Sequence, residues 1–333
     1  MVAVPRSASP LTAELWNGFQ KGDRISCARV ISLLENVPES RSDVLDRLYP
    51  LRKGATRVGI TGPPGVGKST VTAALTKEAR AANHTVGIIA VDPTSPFSGG
   101  AFLGDRIRMN ELTGDEGVFI RSMASREGHG GLSPTTPYVA DVFDAFGMDM
   151  VFIETVGVGQ AEIDVLTCAD VIVVILQPGT GDTIQALKAG ILEAADMFLV
   201  NKADLPGVDM VQESLRFILE MDTRRADRNV PPILAVSARN DTGMDEAFSM
   251  LTQVIERLGD AGRFLMKRKE RIEREVIEAI RGILYDEFLV KSGAREEIEQ
   301  FATRCAESNQ SPFPFIRELS SRVKMEPRND EKT

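Results

Sequence analysis

Phosphate chemistry is the clearest possibility along the chain, in Gly62-Pro63-Pro64-Gly65-Val66-Gly67-Lys68-Ser69-Thr70, which fits the spacing G-x-x-x-x-G-K-[ST]. Gly62, Gly65 and Gly67 allow a tight turn that brings backbone N–H groups against phosphate oxygens. A helix starting at the same point adds the positive end of its dipole. Lys68 can reach the outer phosphates, and the Ser69 hydroxyl can ligate Mg²⁺. A glycine-rich turn that binds nothing would need neither Lys-Ser in register nor these flanks. Arg57 to Thr61 reads as a short buried strand, and Val71, Ala74, Leu75 and Ala79 fall at helical spacing within Val71 to Ala81.

A second constellation chooses a base. Asn201-Lys202-Ala203-Asp204 follows an apolar run and matches N-K-x-D. A carboxylate at Asp204 accepts hydrogen bonds from the N1–H and exocyclic amine of guanine. Adenine has no proton at N1 and would leave that carboxylate unpaired, which a site built on hydrogen bonds rejects strongly. Asn201 would tie this loop to the phosphate loop, with the Lys202 stem lying over the base. Ser237-Ala238-Arg239 resembles the S-A-K loop, whose N–H groups meet the guanine carbonyl. Glu154-Thr155-Val156-Gly157 stands in the place of D-x-x-G, with Glu for Asp. There Glu154 would hold Mg²⁺ through water and the Gly157 amide would sense the third phosphate. Many GTPases follow that glycine with a Gln that orients the attacking water. Here the residue is Val158, and Gln160 comes two places later, so slow intrinsic hydrolysis completed by dimerisation or a partner is expected.

The elements that must position these residues alternate strand and helix, the pattern of a parallel sheet covered on both faces. Strands are expected at Arg57–Thr61, Val86–Asp92, Val118–Arg121, Met150–Glu154, Val171–Leu176, Met197–Asn201 and Ile233–Ser237. Several are unbroken Val/Ile/Leu runs, as burial on both sides requires. Asp92, Glu154, Asn201 and Ser237 then gather at their carboxyl ends, where open α/β sheets bind ligands. The fold class expected is α/β: a P-loop NTPase with a mostly parallel, doubly wound central sheet. Residues 1–52 form an N-terminal helical extension, with Asp23 as an N-cap. Residues 53–261 form the nucleotide domain, and 262–333 a C-terminal helical arm. The arm carries an apolar stripe (Phe264, Met266, Ile272, Val276, Ile280, Ile283, Leu284, Phe288) that either packs on its own nucleotide domain or makes a dimer contact, the second being favoured.

Composition narrows the partners. The chain has 333 residues and a formal net charge of -9, which argues against a broad nucleic-acid footprint. Cys27, Cys168 and Cys305 are isolated, with no C-x-x-C, so neither a disulfide framework nor a cysteine metal site is indicated. The longest apolar run, Val171 to Leu176, is far too short to span a bilayer, and the N-terminus lacks a secretory core. A cytoplasmic location without membrane contact is expected.

Taken together, the motifs closely resemble the MeaB/ArgK family of P-loop GTPases, from about Gly22 to Phe288. Ala90-Val91-Asp92-Pro93-Thr94-Ser95-Pro96, continuing through Asp105 to Met109, looks like a stretch particular to that family. The same holds for Glu154 through Gln160 and for Gln177-Pro178-Gly179-Thr180-Gly181-Asp182-Thr183-Ile184-Gln185 through Gly190. The resemblance implies that GTP hydrolysis gates assembly of adenosylcobalamin-dependent methylmalonyl-CoA mutase, protecting the mutase and admitting only intact cofactor. It implies homodimers joined through the C-terminal arm. It also implies that Asp92 and Asp105 join Ser69 and Glu154 around Mg²⁺ or its waters, so that Lys68, Asp92, Asp105, Glu154 and Gly157 serve catalysis. Gln177, Asp182, Gln185 and Lys188 would then lie in a stretch that reports nucleotide state to the mutase. Two other readings compete. A nickel metallochaperone of the same superfamily would need His-rich or Cys-based sites, which two His and three isolated Cys do not supply. A kinase acting on a small substrate would need an acceptor pocket with its own base.

Overall fold

The computed structural model describes residues 11–92, 109–124, 132–155, 161–179, 189–221, 230–285, 289, 294–308 and 313–321. The chain divides into two compact units, Met1–Lys267 and Arg268–Thr333. The first opens with three helices, α1 (Ala13–Gln20), α2 (Arg24–Asn36) and α3 (Arg41–Leu48). The Asp23 side chain caps α2 by accepting from the Ile25 and Ser26 amides. The hydrogen bonds from Ser26 hold the Asp23 carboxyl below its ordinary range.

Strand and helix then alternate: β1 (Thr56–Thr61), α4 (Lys68–Ala81), β2 (Val86–Asp92), β3 (Val118–Ala124), α5 (Thr136–Phe146), β4 (Met150–Glu154) and α6 (Ala161–Cys168). β5 (Val171–Leu176), α7 (Ala189–Ala194), β6 (Met197–Val200), α8 (Val208–Met221), β7 (Ile233–Ala235) and α9 (Met244–Asp260) complete the series. Among the described residues the strands form one seven-stranded sheet in the order β3-β2-β4-β1-β5-β6-β7. Every pairing is parallel, where a mostly parallel sheet was expected. β6 and β7 stop short of Asn201 and Ser237. The Ser237 amide leaves the sheet to bond the Thr242 carbonyl, which turns the chain into the next loop.

The two-residue period of the strands sorts their side chains into two layers. In β1, β4 and β5, Val58, Ile60, Phe152, Val171, Val173 and Ile175 pack with α4 and α9. Val151 and Ile153 face the opposite layer, where they meet α5 and the N-terminal helices through Phe143, Ile31, Leu34 and Leu48. Farther along that layer, Ile172, Val174, Phe198 and Val200 pack with Leu215 and Leu219 of α8. Trp16 stacks on Phe19 at 5.3 Å between ring centroids, and Phe19 reaches Phe146 of α5 at 5.5 Å. The aromatic contacts therefore fasten the N-terminal helices to this layer.

Helix α10 (Arg263–Tyr285) leaves the first unit, its root held there by Arg263 Nη1 to Asp196 Oδ1 at 3.2 Å and Lys267 Nζ to the Asp170 carbonyl at 2.7 Å. In the second unit, α11 (Ala294–Ser308) and α12 (Phe313–Ser321) meet through Phe301 and Phe315, stacked at 4.2 Å.

Aspartates bind the starts of the strands. Asp144 Oδ1 accepts from the amides of Lys53, Gly54 and Ala55, Asp170 Oδ2 from Arg57, Asp149 Oδ2 from Thr85 and Asp196 Oδ2 from Ile172. Arg57 and Asp141 form an ion pair inside the fold: Arg57 Nη2 donates to Asp141 Oδ1 at 2.7 Å, and Arg52 Nη1 donates to the same oxygen at 2.7 Å. Removing the carboxylate would leave the buried Arg57 guanidinium without its neutralising partner. Asp141→Ala is expected to destabilise the chain by about 3–5 kcal/mol in denaturant unfolding. A loss below about 1 kcal/mol, the size of an exposed ion pair, would contradict this role.

Candidate nucleotide-binding site

The phosphate loop joins β1 to α4, and its glycines are required where the chain crowds. Gly62 has φ +143°, and a Cβ there would run into the backbone carbonyl of Ile175 in the neighbouring strand. Gly67 has φ +93°, and a Cβ would meet Asn201 Nδ2. Both positions combine a left-handed backbone with no room for a side chain. Helix α4 begins at Lys68, three residues earlier than the apolar spacing suggests, because the Val71 amide already closes a turn onto the Gly67 carbonyl. Its first amides and the positive end of its dipole thus open directly onto Gly65-Val66-Gly67.

Lys68 is buried, and its Nζ donates to the carbonyls of Gly62 at 2.9 Å and Pro63 at 3.0 Å. The ammonium group therefore sits within the curl of the loop. Ser69 Oγ donates to Glu154 Oε1 at 2.6 Å, joining the first turn of α4 to the last residue of β4, with both side chains buried. Beside them Thr155 Oγ1 bonds Thr61 Oγ1 at 3.3 Å. A hydroxyl and a carboxylate this close form an all-oxygen donor set that suits Mg²⁺, which takes few protein ligands and completes its octahedron with phosphate oxygens and water. The residues fit that ion. Among the described residues no cluster of three or more His, Cys, Asp or Glu side chains could hold a metal alone.

The segments expected to select a base meet the phosphate loop through two side chains, Asn201 and Lys202. Asn201 Nδ2 donates to the Val66 carbonyl at 2.8 Å, and Oδ1 accepts from the Ala238 amide at 3.1 Å. Its own amide bonds the Leu176 carbonyl at 2.8 Å. Lys202, at φ +62°, sends Nζ to the Gly65 carbonyl at 2.8 Å. Ser237 Oγ donates to Asp204 Oδ1 at 2.6 Å, and this bond is the main reason the exposed Asp204 carboxyl lies below its ordinary range. Asp204 is thus kept ionised and oriented. Pro64 lies within the phosphate loop and is exposed. Thr70 and Arg239 line a cavity of about 280 Å³ with Ala73, Lys77, Leu112 and Asp241.

Of the remaining candidates, Asp92 ends β2 at the same edge, two residues beyond Ala90, which stands opposite Glu154. Gln177 follows β5, and its Oε1 is buried with no hydrogen-bond partner among the described residues. Asp105, Gly157, Asp182, Gln185 and Lys188 lie outside the described residues. The Ser69–Glu154 bond, the Asp204–Ser237 bond and the cavity residues Lys77 and Asp241 are not written in any one motif. They arise where segments far apart in the chain are brought together.

Known proteins supply the context. A sequence profile described as methylmalonyl-CoA mutase-associated GTPase MeaB matches residues 27–292. A candidate GTPase of Pyrococcus abyssi is 44% identical over 90% of this chain and 93% of its own. GTPase ArgK of Escherichia coli is 32% identical over 92% of this chain and 95% of its own. The mouse mitochondrial methylmalonic aciduria type A homolog is 31% identical over 85% of this chain and 72% of its own. A solved structure described as an LAO/AO transport system kinase superposes with a TM-score of 0.70 at 25% identity, covering 95% of this chain and all of its own.

If the Lys68 ammonium stabilises charge developing on the transferred phosphate, Lys68→Ala should cut GTP turnover by about 100- to 1,000-fold. Phosphate release assayed at saturating GTP reads this directly, and turnover within threefold of wild type would remove Lys68 from the chemistry.

Proposed function

The chain belongs to the MeaB family of P-loop GTPases, and from that premise we propose that its GTP hydrolysis gates the loading and protection of an adenosylcobalamin-dependent methylmalonyl-CoA mutase. It is a GTPase, converting GTP to GDP and phosphate. The mutase role is supported by the description of the family and by the name of the mouse relative. We infer a cytoplasmic homodimer that works with Mg²⁺. No helix among the described residues is long and apolar enough to cross a membrane.

The observation that carries the reading is the three-way tie at Asn201 between the phosphate loop, the segment after β6 and the loop after β7. In the proposed cycle, loop amides and Lys68 grip the triphosphate, while Asp204 selects guanine. Ser69 and Glu154 would hold Mg²⁺, which neutralises charge on the phosphates when bound. With Val158 in the usual place of a water-orienting Gln, basal turnover is slow. A partner then accelerates it.

Coupling to that partner has a physical route. The end of β5 is packed so closely on the start of the phosphate loop that Gly62 admits no side chain. This closeness supports a role for the stretch leaving β5 at Gln177 in following changes at the phosphates. Asp182, Gln185 and Lys188, farther along it, are proposed to pass those changes to the mutase, with Asp92, Asp105 and Gly157 completing the phosphate end.

Two outcomes test this. Asp204→Asn should move preference from guanine towards xanthine nucleotides, by on the order of 100-fold or more in the GTP/XTP ratio of kcat/KM. Unchanged preference would defeat the assignment of the base. Addition of a purified adenosylcobalamin-dependent mutase should raise GTP turnover severalfold, and Lys188→Ala should keep basal turnover while losing that stimulation. Equal stimulation of the variant would take Lys188 out of the coupling. A phosphorylated acceptor in place of free phosphate would favour a kinase.

A further inference from the structure

The loop after β7 uses most of its amides within the protein. The Ser237 amide donates to the Thr242 carbonyl, and the amides of Asn240 and Thr242 both donate to the Ser237 carbonyl. These bonds close residues 237–242 into a tight turn. The Ala238 amide, expected to meet a guanine carbonyl, donates instead to Asn201 Oδ1 at 3.1 Å. A carbonyl oxygen arriving at this loop therefore needs another donor.

Arg239, within that turn, is the exception. It is exposed, and among the described residues neither its amide nor its guanidinium makes a hydrogen bond or an ion pair. Its side chain nevertheless borders the site, lining the cavity between Thr70, in the first turn of α4, and Ala238. Asp241 lines the same cavity without pairing to it. Arg239 also lies near enough to Asp204 to act on it. After the larger effect of the Ser237 bond, the charges of Arg239 and Lys202 both help to hold the Asp204 carboxyl low.

We propose that Arg239 is a second reader of the base, its guanidinium donating to O6 and N7 of guanine while Asp204 accepts from N1–H and the exocyclic amine. Guanine presents two acceptors along that edge, whereas adenine presents an amine in place of O6 and meets the guanidinium donor against donor. The planar fork of an Arg suits two neighbouring acceptors, which the point charge of a Lys at the end of an S-A-K loop does not. The inference rests on the guanine reading above and adds which atoms of the base a further side chain holds.

Calorimetric titration of the full chain tests it with three nucleotides: GDP, 7-deaza-GDP, whose N7 is replaced by carbon, and inosine diphosphate. Wild type should prefer GDP over 7-deaza-GDP by about tenfold, the scale of one fork contact to a base. Arg239→Ala should lose about tenfold in GDP affinity and bind GDP and 7-deaza-GDP within about threefold of each other. Inosine diphosphate keeps O6 and N7, so the same substitution should weaken it as much as GDP. Arg239→Lys, with the charge but not the fork, should recover only part of the loss. A turn merely disturbed by the substitution would weaken every nucleotide alike and leave the gap between GDP and 7-deaza-GDP intact. That result would overturn the inference and give N7 to Asn201 Nδ2, and GDP affinity within about threefold of wild type would overturn it as well. Wild type that binds ADP as tightly as GDP would instead overturn the guanine reading itself.

Discussion

The side chain of Asn201 holds the site together. One carboxamide donates to the loop that cradles phosphate and accepts from the loop after β7. The Asn201 side chain is buried, so the geometry is enforced by the cost of leaving either of its polar groups unpaired. The neighbouring Lys202, bonded to the Gly65 carbonyl, repeats the tie one residue later. Three loops that leave different strands thereby form one receptor, and on the reading proposed here the two ends of a nucleotide are bound by a single rigid body.

The sheet makes that arrangement possible by separating two tasks. Parallel strands put all their carboxyl ends on one edge, and there the chain gathers its glycine loop, Glu154, Asn201 and Ser237. The opposite edge is stitched by Asp144, Asp149, Asp170 and Asp196 to the amides that begin the strands, with the Arg57–Asp141 pair beneath. At the ligand edge Gly62, Gly65, Gly67 and Lys202 take left-handed backbone angles.

Much of this was legible in the sequence, for reasons that differ from element to element. The strands were readable because burial on both faces demands unbroken runs such as Val171 to Leu176. The phosphate loop was readable because Gly62 and Gly67 have no substitute at their backbone angles. Strand ends were harder: β6 and β7 stop where Asn201 and Ser237 turn to serve the site, and propensity does not record such service. Of the contacts between distant segments, the motif at Asn201 announced its tie to the phosphate loop, and others left no trace. Nothing in the spacing places Ser69 against Glu154 or Ser237 against Asp204, since each pair is created by the register of separate strands.

The central claim is that the base and phosphate loops act as one receptor through Asn201. Calorimetric titration of GDP into wild type and into Asn201→Ala, with circular dichroism confirming that the variant is folded, tests it most directly. Two hydrogen bonds from one buried side chain, at about 1–1.5 kcal/mol each, predict that Kd rises by on the order of 100-fold. An affinity within about threefold of wild type would show that the loops hold the nucleotide independently, and the account would fail at its foundation.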